Sequence, residues 1–307
     1  MVRRCVAVVL VGFAPLVARP ALAASPEHES SFSFFIAGDM RKWAGPDYRN
    51  PGYFLSALQA MRSVGPGAFI VVPGDFDPPH YVVEEVASTL GPACPLYPVV
   101  GNHDTRSNAY MAYIRGLNAR GTRLPNVVRK GPPGCEETMY AFDWSDAHVV
   151  VLNQYCDGGS DTGGNGDVTD ATVAWLSGDL STNTKRFVFV VGHDPAYVFP
   201  DMGSGRVRHE GGGLEVNPAH RNRFWKLLKD HHITAYICGH THNASAKKID
   251  DVWQLDSGEA RGKGDTGAPS TFIKITVGEA DCRYEYYRAN AKGLDYKVTL
   301  AGSLIEE

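Results

Sequence analysis

Five short apolar runs in this chain stop in the same way, at a glycine followed by side chains able to hold a metal ion or a phosphate. In order they are Gly38-Asp39, Gly74-Asp75, Gly101-Asn102-His103-Asp104, Gly192-His193 and Gly239-His240-Thr241-His242. Ligand-type residues just beyond strand ends are where an α/β sheet builds a binding site. A glycine ahead of each ligand lets the backbone turn sharply and aims the next side chain into a shared pocket. Any one piece is an ordinary turn or a lone histidine. Repeated five times, the pattern constrains both the fold and the chemistry.

These five runs, 32–37, 69–72, 97–100, 187–191 and 233–238, and a sixth at 148–152 read as buried strands. Helical patterns lie between them at 53–64, 82–90, 108–117, 171–180 and 219–230. Strands alternating with helices make an α/β protein. Later runs at 252–255, 271–277, 283–288 and 296–300 alternate apolar and polar residues with no helix between, and read as antiparallel strands completing a second sheet. No repeat or long linker divides the chain, so 32–307 is expected to be one domain, a two-sheet β-sandwich flanked by helices. The 307 residues are 43% hydrophobic, enough for the core this requires.

Residues 1–23 read as a signal peptide: Arg3 and Arg4, an apolar run from Cys5 to Ala18, then Ala21-Leu22-Ala23. A polar segment, 24–31, follows. The expectation is a secreted or periplasmic protein with no membrane segment after cleavage. Cleavage removes three arginines and no acid, moving the formal charge from −4 to −7, which excludes a basic nucleic-acid-binding coat. Five cysteines then remain, an odd number, so at least one is unpaired. Cys135 and Cys156 flank a strand pair and could bridge. Cys238, inside an apolar run, reads as a small buried hydrophobe. The glycine-rich segment 157–167 has three aspartates that could hold calcium, but it lacks EF-hand spacing and is read as a plain loop.

The five clusters together resemble the calcineurin-like metallophosphoesterases, a superfamily that includes the purple acid phosphatases. Its signature runs Asp-x-His, Gly-Asp, Gly-Asn-His-Asp/Glu, Gly-His and Gly-His-x-His, and four of the five elements are present. The resemblance implies a four-layer α/β/β/α fold and two divalent or mixed-valence ions, such as Mn, Fe or Zn. Asp75 would bridge them, Asp39 and His242 would hold the first, and Asn102, His193 and His240 the second. It also implies hydrolysis of a small phosphate ester, a monoester or nucleotide in preference to a diester, by attack of a metal-bound hydroxide. His103 would serve the leaving group, with Asp104 orienting its ring. A metal-bearing but catalytically silent binding protein is the competing reading.

The first motif departs from the pattern. It reads Asp39-Met40-Arg41, and a guanidinium cannot coordinate a cation. Arg41 is expected either to join the catalytic set by gripping a substrate phosphate or to salt-bridge a loop carboxylate. Pro78 stands where the family has a further Asp or a Tyr, which disfavours a tyrosinate-ligated ferric centre. Asp77 reads as an outer carboxylate or simply a turn residue. His148 reads as packing within its strand. Specificity is expected from the segment 203–213, which contains His209, and from 108–130 with Arg115, Arg120, Arg123 and Arg129, either of which could roof the pocket.

Overall fold

A computed structural model describes residues 31–41, 52–261, 268–290 and 295–305. The expected leader, 1–23, lies outside them. No helix among the described residues is long and apolar enough to cross a membrane.

Two sheets form the centre. The first has six strands: β1 (Phe32–Ile36), β2 (Ile70–Val72), β3 (Leu96–Pro98), β11 (Thr271–Val277), β12 (Cys282–Ala289) and β13 (Tyr296–Ser303), in the order β13-β12-β11-β1-β2-β3. The second has seven: β4 (Val127–Lys130), β5 (Tyr140–Trp144), β6 (Ala147–Val151), β7 (Phe187–Val191), β8 (Ala235–Cys238), β9 (Ala244–Ile249) and β10 (Val252–Ser257), ordered β4-β5-β6-β7-β8-β10-β9. β1, β2 and β3 are parallel, as are β6, β7, β8 and β10.

Alternation along β1 shows how the layers assemble. Phe34 and Ile36 face the second sheet: Phe34 meets Phe189 of β7 at 5.3 Å between ring centroids, and Phe69, just ahead of β2 in its own sheet, at 4.6 Å. Phe35 and Ala37 face outward onto α1 (Gly52–Ser63) and α2 (Pro79–Leu90), among Leu58, Met61, Val82 and Val86. Met111 and Ile114 of α3 (Asn108–Leu117) close the same layer. On the other side α4 (Asp170–Leu180) and α5 (Pro218–Asp230) place Leu176, Phe224 and Leu228 on Val188, Val190 and Tyr236. Each large apolar side chain so buried contributes about 1.5–3 kcal/mol. The result is the four-layer α/β/β/α sandwich.

Local chemistry sets the helix starts. Ser107, Thr169 and Asn217 accept bonds from Tyr110 N, Thr172 N and His220 N, and Pro218 occupies the first turn of α5. The late strands are corrected in one respect: they do not all complete one second sheet as antiparallel strands but divide between the two. β10 joins β8 in parallel and hairpins with β9, whereas β11–β13 extend the first sheet from β1. Two strands were not expected, β4 and β9, and β5 only as a member of the pair between Cys135 and Cys156. β9 ends in exposed lysines at a sheet edge, a position where apolar alternation is not required. Cys135 and Cys156 are bridged, and Cys94, Cys238 and Cys282 are buried free thiols.

Candidate metal centre

The ends of β1, β2 and β3 deliver Asp39, Asp75 and Asn102-His103, while β7 and β8 deliver His193 and His240-His242. The site therefore draws on both sheets, and backbone bonds tie the loops together: Asp39 N donates to Gly74 O at 3.1 Å, Gly239 N to His193 O at 2.9 Å and Ala260 N to Gly38 O at 3.0 Å. The glycines act differently from expectation. Of the five that precede the ligands, only Gly74 has a left-handed φ, +85°. Four of the ligand-type residues take that conformation themselves, Asp39 (54°), Asp75 (53°), His240 (69°) and His242 (57°). Such strain in non-glycine residues concentrates at functional sites. The glycines supply closeness instead: a Cβ on Gly101 would lie 2.3 Å from Asp75 Oδ1, and one on Gly239 2.5 Å from Asp39 Oδ2.

Asp39, Asp75 and His193 are buried, with ligand atoms within 4.8 Å of one another. His193 Nε2 lies 3.6 Å from Asp75 Oδ1, 3.2 Å from Asn102 Oδ1 and 3.2 Å from His240 Nδ1. His242 Nε2 lies 3.4 Å from Asp39 Oδ1, a buried oxygen with no hydrogen-bond partner. Two ligand atoms each about 2.1 Å from one ion at tetrahedral angles are about 3.4 Å apart, so these spacings suit shared ions better than direct hydrogen bonds. The outward ring nitrogens agree: His193 Nδ1 donates to Pro73 O at 2.7 Å, His240 Nε2 faces Asp194 Oδ1 at 3.7 Å, and His242 Nδ1 faces Glu259 Oε2 at 2.9 Å. Each imidazole is thus turned with its other nitrogen inward, as metal-binding histidines are. The oxygen and imidazole donor set fits Mn, Fe or Zn.

Carboxylates and histidines share charge across the site: burial opposes a charged His193, but Asp75, Asp39 and Asp194 outweigh it and lift its pKa to about 9. Burial pushes Asp75 up to about 6, with His193 opposing and Asp39 reinforcing. Burial also acts to raise Asp39, but His242 and the other histidines outweigh it and hold that carboxyl at about 2. A buried pair of carboxylates so close calls for cationic compensation.

His103 donates its backbone N–H to Asp75 Oδ1 at 2.8 Å, and its Nε2 sits 3.8 Å from Asp75 Oδ2. Burial, then the guanidiniums of Arg41 and Arg106, press its pKa down to about 3. Arg106 Nη1 lies 3.0 Å from His103 Nδ1, and a guanidinium only donates, so the ring proton belongs on Nε2, facing the site. Asp104 does not orient this ring, contrary to expectation. Its Oδ2 accepts from Gly101 N at 2.8 Å and Asp75 N at 3.0 Å, pinning the two loops together.

Arg41 follows the second of its two expected courses: its Nε donates to Asp77 Oδ1 at 2.9 Å. Asp77 is therefore the carboxylate that holds Arg41, beyond its place in the turn before Pro78. Of the expected roof segments, only 203–213 contributes: the His209 ring lies against His240 with centroids 4.5 Å apart and planes tilted by 30°, and Arg208 reaches His242. The 108–130 arginines turn elsewhere, Arg115 onto Asp161 and Arg129 towards Asp179. The three aspartates of 157–167 point to three separate partners, Gly159 N and Ser160 N for Asp157, Arg115 for Asp161 and His220 for Asp167. Sequence reasoning missed Asp194, Glu259, Arg208 and Arg261. Asp194, directly after His193, was the one with a visible signal.

The calcineurin-like phosphoesterase family model matches residues 32–244. The chain belongs to this family. No curated protein sequence matches it. Among solved structures it is similar to GAP50, the anchor in the inner membrane complex of Plasmodium, at 17% identity and a TM-score of 0.56, covering 91% of this chain and 90% of that one. It is also similar to PhoD, at 12% identity and a TM-score of 0.58, covering 88% of this chain and 68% of that one. At such identities the likeness establishes the shared fold alone. As a family member the chain is a phosphoesterase-type protein whose relatives generally bind a metal pair.

Proposed function

We propose that this protein is an exported, metal-dependent hydrolase of small phosphomonoesters, nucleotides among them. The observation that carries the reading is the inward convergence of His193 Nε2, His240 Nδ1, His242 Nε2, Asn102 Oδ1 and two buried carboxylates, beside a neutral His103 with its proton facing the site. Asp75, Asn102, His193 and His240 would hold one ion, and Asp39, Asp75 and His242 the other. When bound, the ions would activate a water and draw charge from the phosphoryl oxygens. His103 Nε2–H would donate a hydrogen bond to the leaving oxygen while keeping its proton, and Arg106 keeps the opposite nitrogen aprotic. Guanidiniums on two sides, Arg41 and Arg106 near His103 and Arg208 and Arg261 at His242, favour a dianionic monoester over a diester in a chain that is acidic overall. Export rests on the sequence of residues 1–23.

A second reading has one observation in its favour. Arg41 replaces a neutral ligand of the first ion and is paired with Asp77, which leaves that ion three protein ligands. The chain would then bind metal and phosphate without turnover. Hydrolysis of para-nitrophenyl phosphate and its bis-ester by metal-stripped protein, with Mn, Zn or Fe returned singly, separates the two. Restored monoesterase activity that His103→Ala and Asn102→Ala abolish supports hydrolysis. Metal binding with no turnover for any ion establishes the silent site.

A further inference from the structure

The roof segment 203–213 is fastened at its root by one buried carboxylate. Asp201, whose side chain is fully shielded from solvent, has donors on both oxygens. Oδ1 accepts from Gly203 N at 3.0 Å, Ser204 N at 2.9 Å and Ser204 Oγ at 3.0 Å, which closes the first turn of the segment. Oδ2 accepts from Ala244 N at 3.0 Å, two residues beyond His242, and from Arg288 Nη2 at 2.6 Å. Backbone bonds repeat the tie: Asp201 N donates to Arg206 O and Met202 N to Ala244 O, each at 2.8 Å. Arg288 comes from β12, opposite Thr271 of β11, and its Nε donates to Thr271 Oγ1 at 3.3 Å. A Cβ on Gly203 would lie 2.6 Å from Arg288 Nη1, so the guanidinium sits directly against the turn. Burial opposes charge on Asp201, but the N–H groups of Ala244 and Ser204 and the Arg288 guanidinium outweigh it and hold the carboxyl below its ordinary pKa.

We infer that Arg288, acting through Asp201, is a positioning residue for the roof: it fixes where Arg208 and His209 stand over the metal centre, and so how tightly the site grips a phosphoryl group. Arg208 reaches His242, the His209 ring lies against His240, and Arg206 donates from Nη2 to His242 O at 3.0 Å. No strand or α-helix runs through 203–213, so the course of the segment is set by its root and by these contacts. The anchor itself stands on a paired strand, since β12 lies between β11 and β13. A group borne by a mobile segment binds well only when a rigid element holds it in place. A buried ion pair adds little net stability, because desolvation offsets its attraction; its use here is to select one geometry. Arg288 lies beyond the 32–244 stretch that matches the family.

The assignment rests on the reading of the site as one that handles phosphate esters, and the test separates the two. Inorganic phosphate is titrated by calorimetry into the Mn(II)-loaded full chain, Mn(II) content is read by atomic emission, and turnover of para-nitrophenyl phosphate is followed in the same samples. Arg288→Met is expected to keep its Mn(II), to bind phosphate about 10–100-fold more weakly and to raise KM by a similar factor, with kcat changing less. Arg288→Lys, which keeps a cation beside Asp201, should recover part of the loss. In an Arg208→Ala/His209→Ala background, Arg288→Met should add almost nothing to the phosphate Kd, because the groups it positions are gone. Should Arg288→Met fold poorly with Asp201 left unbalanced, Arg288→Lys carries the same test through a smaller shift. Unchanged phosphate affinity in a folded Arg288→Met protein would overturn the assignment, as would an effect that adds in full to the Arg208→Ala/His209→Ala loss. A wild type that binds phosphate without turnover overturns hydrolysis, and the phosphate titrations still decide the role of Arg288. A wild type that binds no phosphate overturns both.

Discussion

His148 and His193 are both buried, on neighbouring parallel strands of one sheet, at opposite ends. His148 lies near the start of β6, opposite Val188 of β7, and His193 lies just past the end of β7. At the far end both nitrogens of His148 meet carboxylates at bonding distance, Asp143 at 2.7 Å and Asp179 at 2.8 Å, with Arg129 adding charge at 3.7 Å from Asp179. At the near end the inward imidazole-to-carboxylate separations are 3.4–3.8 Å. The same residue types give a closed ion-pair network in one place and an open cage in the other. Spacing, not composition, distinguishes a structural histidine from a candidate ligand.

The comparison can be broken most decisively at the cage. His103→Ala should lower kcat by about 10²–10⁴-fold while metal content, measured by atomic emission, stays at the wild-type value. Unchanged turnover would remove His103 from the mechanism.

The far end should respond in stability rather than chemistry. His148→Ala strands two carboxylates and should cost about 3 kcal/mol in urea unfolding, with activity per folded molecule retained. Burial opposes the charged ring, but Asp179 and Asp143 raise its pKa above the ordinary value of about 6.5. A raised folded-state pKa stabilises most below the unfolded value, and the benefit fades as pH climbs through the folded one. The His148→Ala deficit should therefore be largest near pH 5–6 and shrink on the alkaline side. A deficit that grows with pH would mean the ring is neutral.

Metal linkage sharpens the contrast. Ions at about 100 times their dissociation constant should stabilise the wild type by about 2.7 kcal/mol per site, an effect His193→Ala loses and His148→Ala keeps. The smallest effect belongs to the Arg41–Asp77 pair, whose side chains are 21% and 12% exposed. Asp77→Ala should cost about 1–2 kcal/mol in the same unfolding assay.

Much of the site was legible because its ligands are named by side-chain chemistry and placed by a local rule, the strand end. Asp39, Asp75, Asn102, His193, His240 and His242 all follow apolar runs, and all six are brought together. The turn mechanism was less legible. The left-handed residue is usually the ligand rather than the glycine, since backbone angles answer to the loops packed around them. Strands with one wet face or an edge position, such as β9, were missed because their alternation is diluted by lysine.

The sequence by itself determined the candidate ligands, their order and the α/β class, since those depend on residue identity and short-range periodicity. Only the tertiary structure decided which sheet β10 would join, that Arg41 would turn to Asp77, that Asp104 would bind backbone instead of His103, and that Glu259 would stand behind His242. The physical reason is common to all four. Each is a choice of partner across more than a dozen residues or between nearby competing donors, settled by burial and distance that no local pattern encodes.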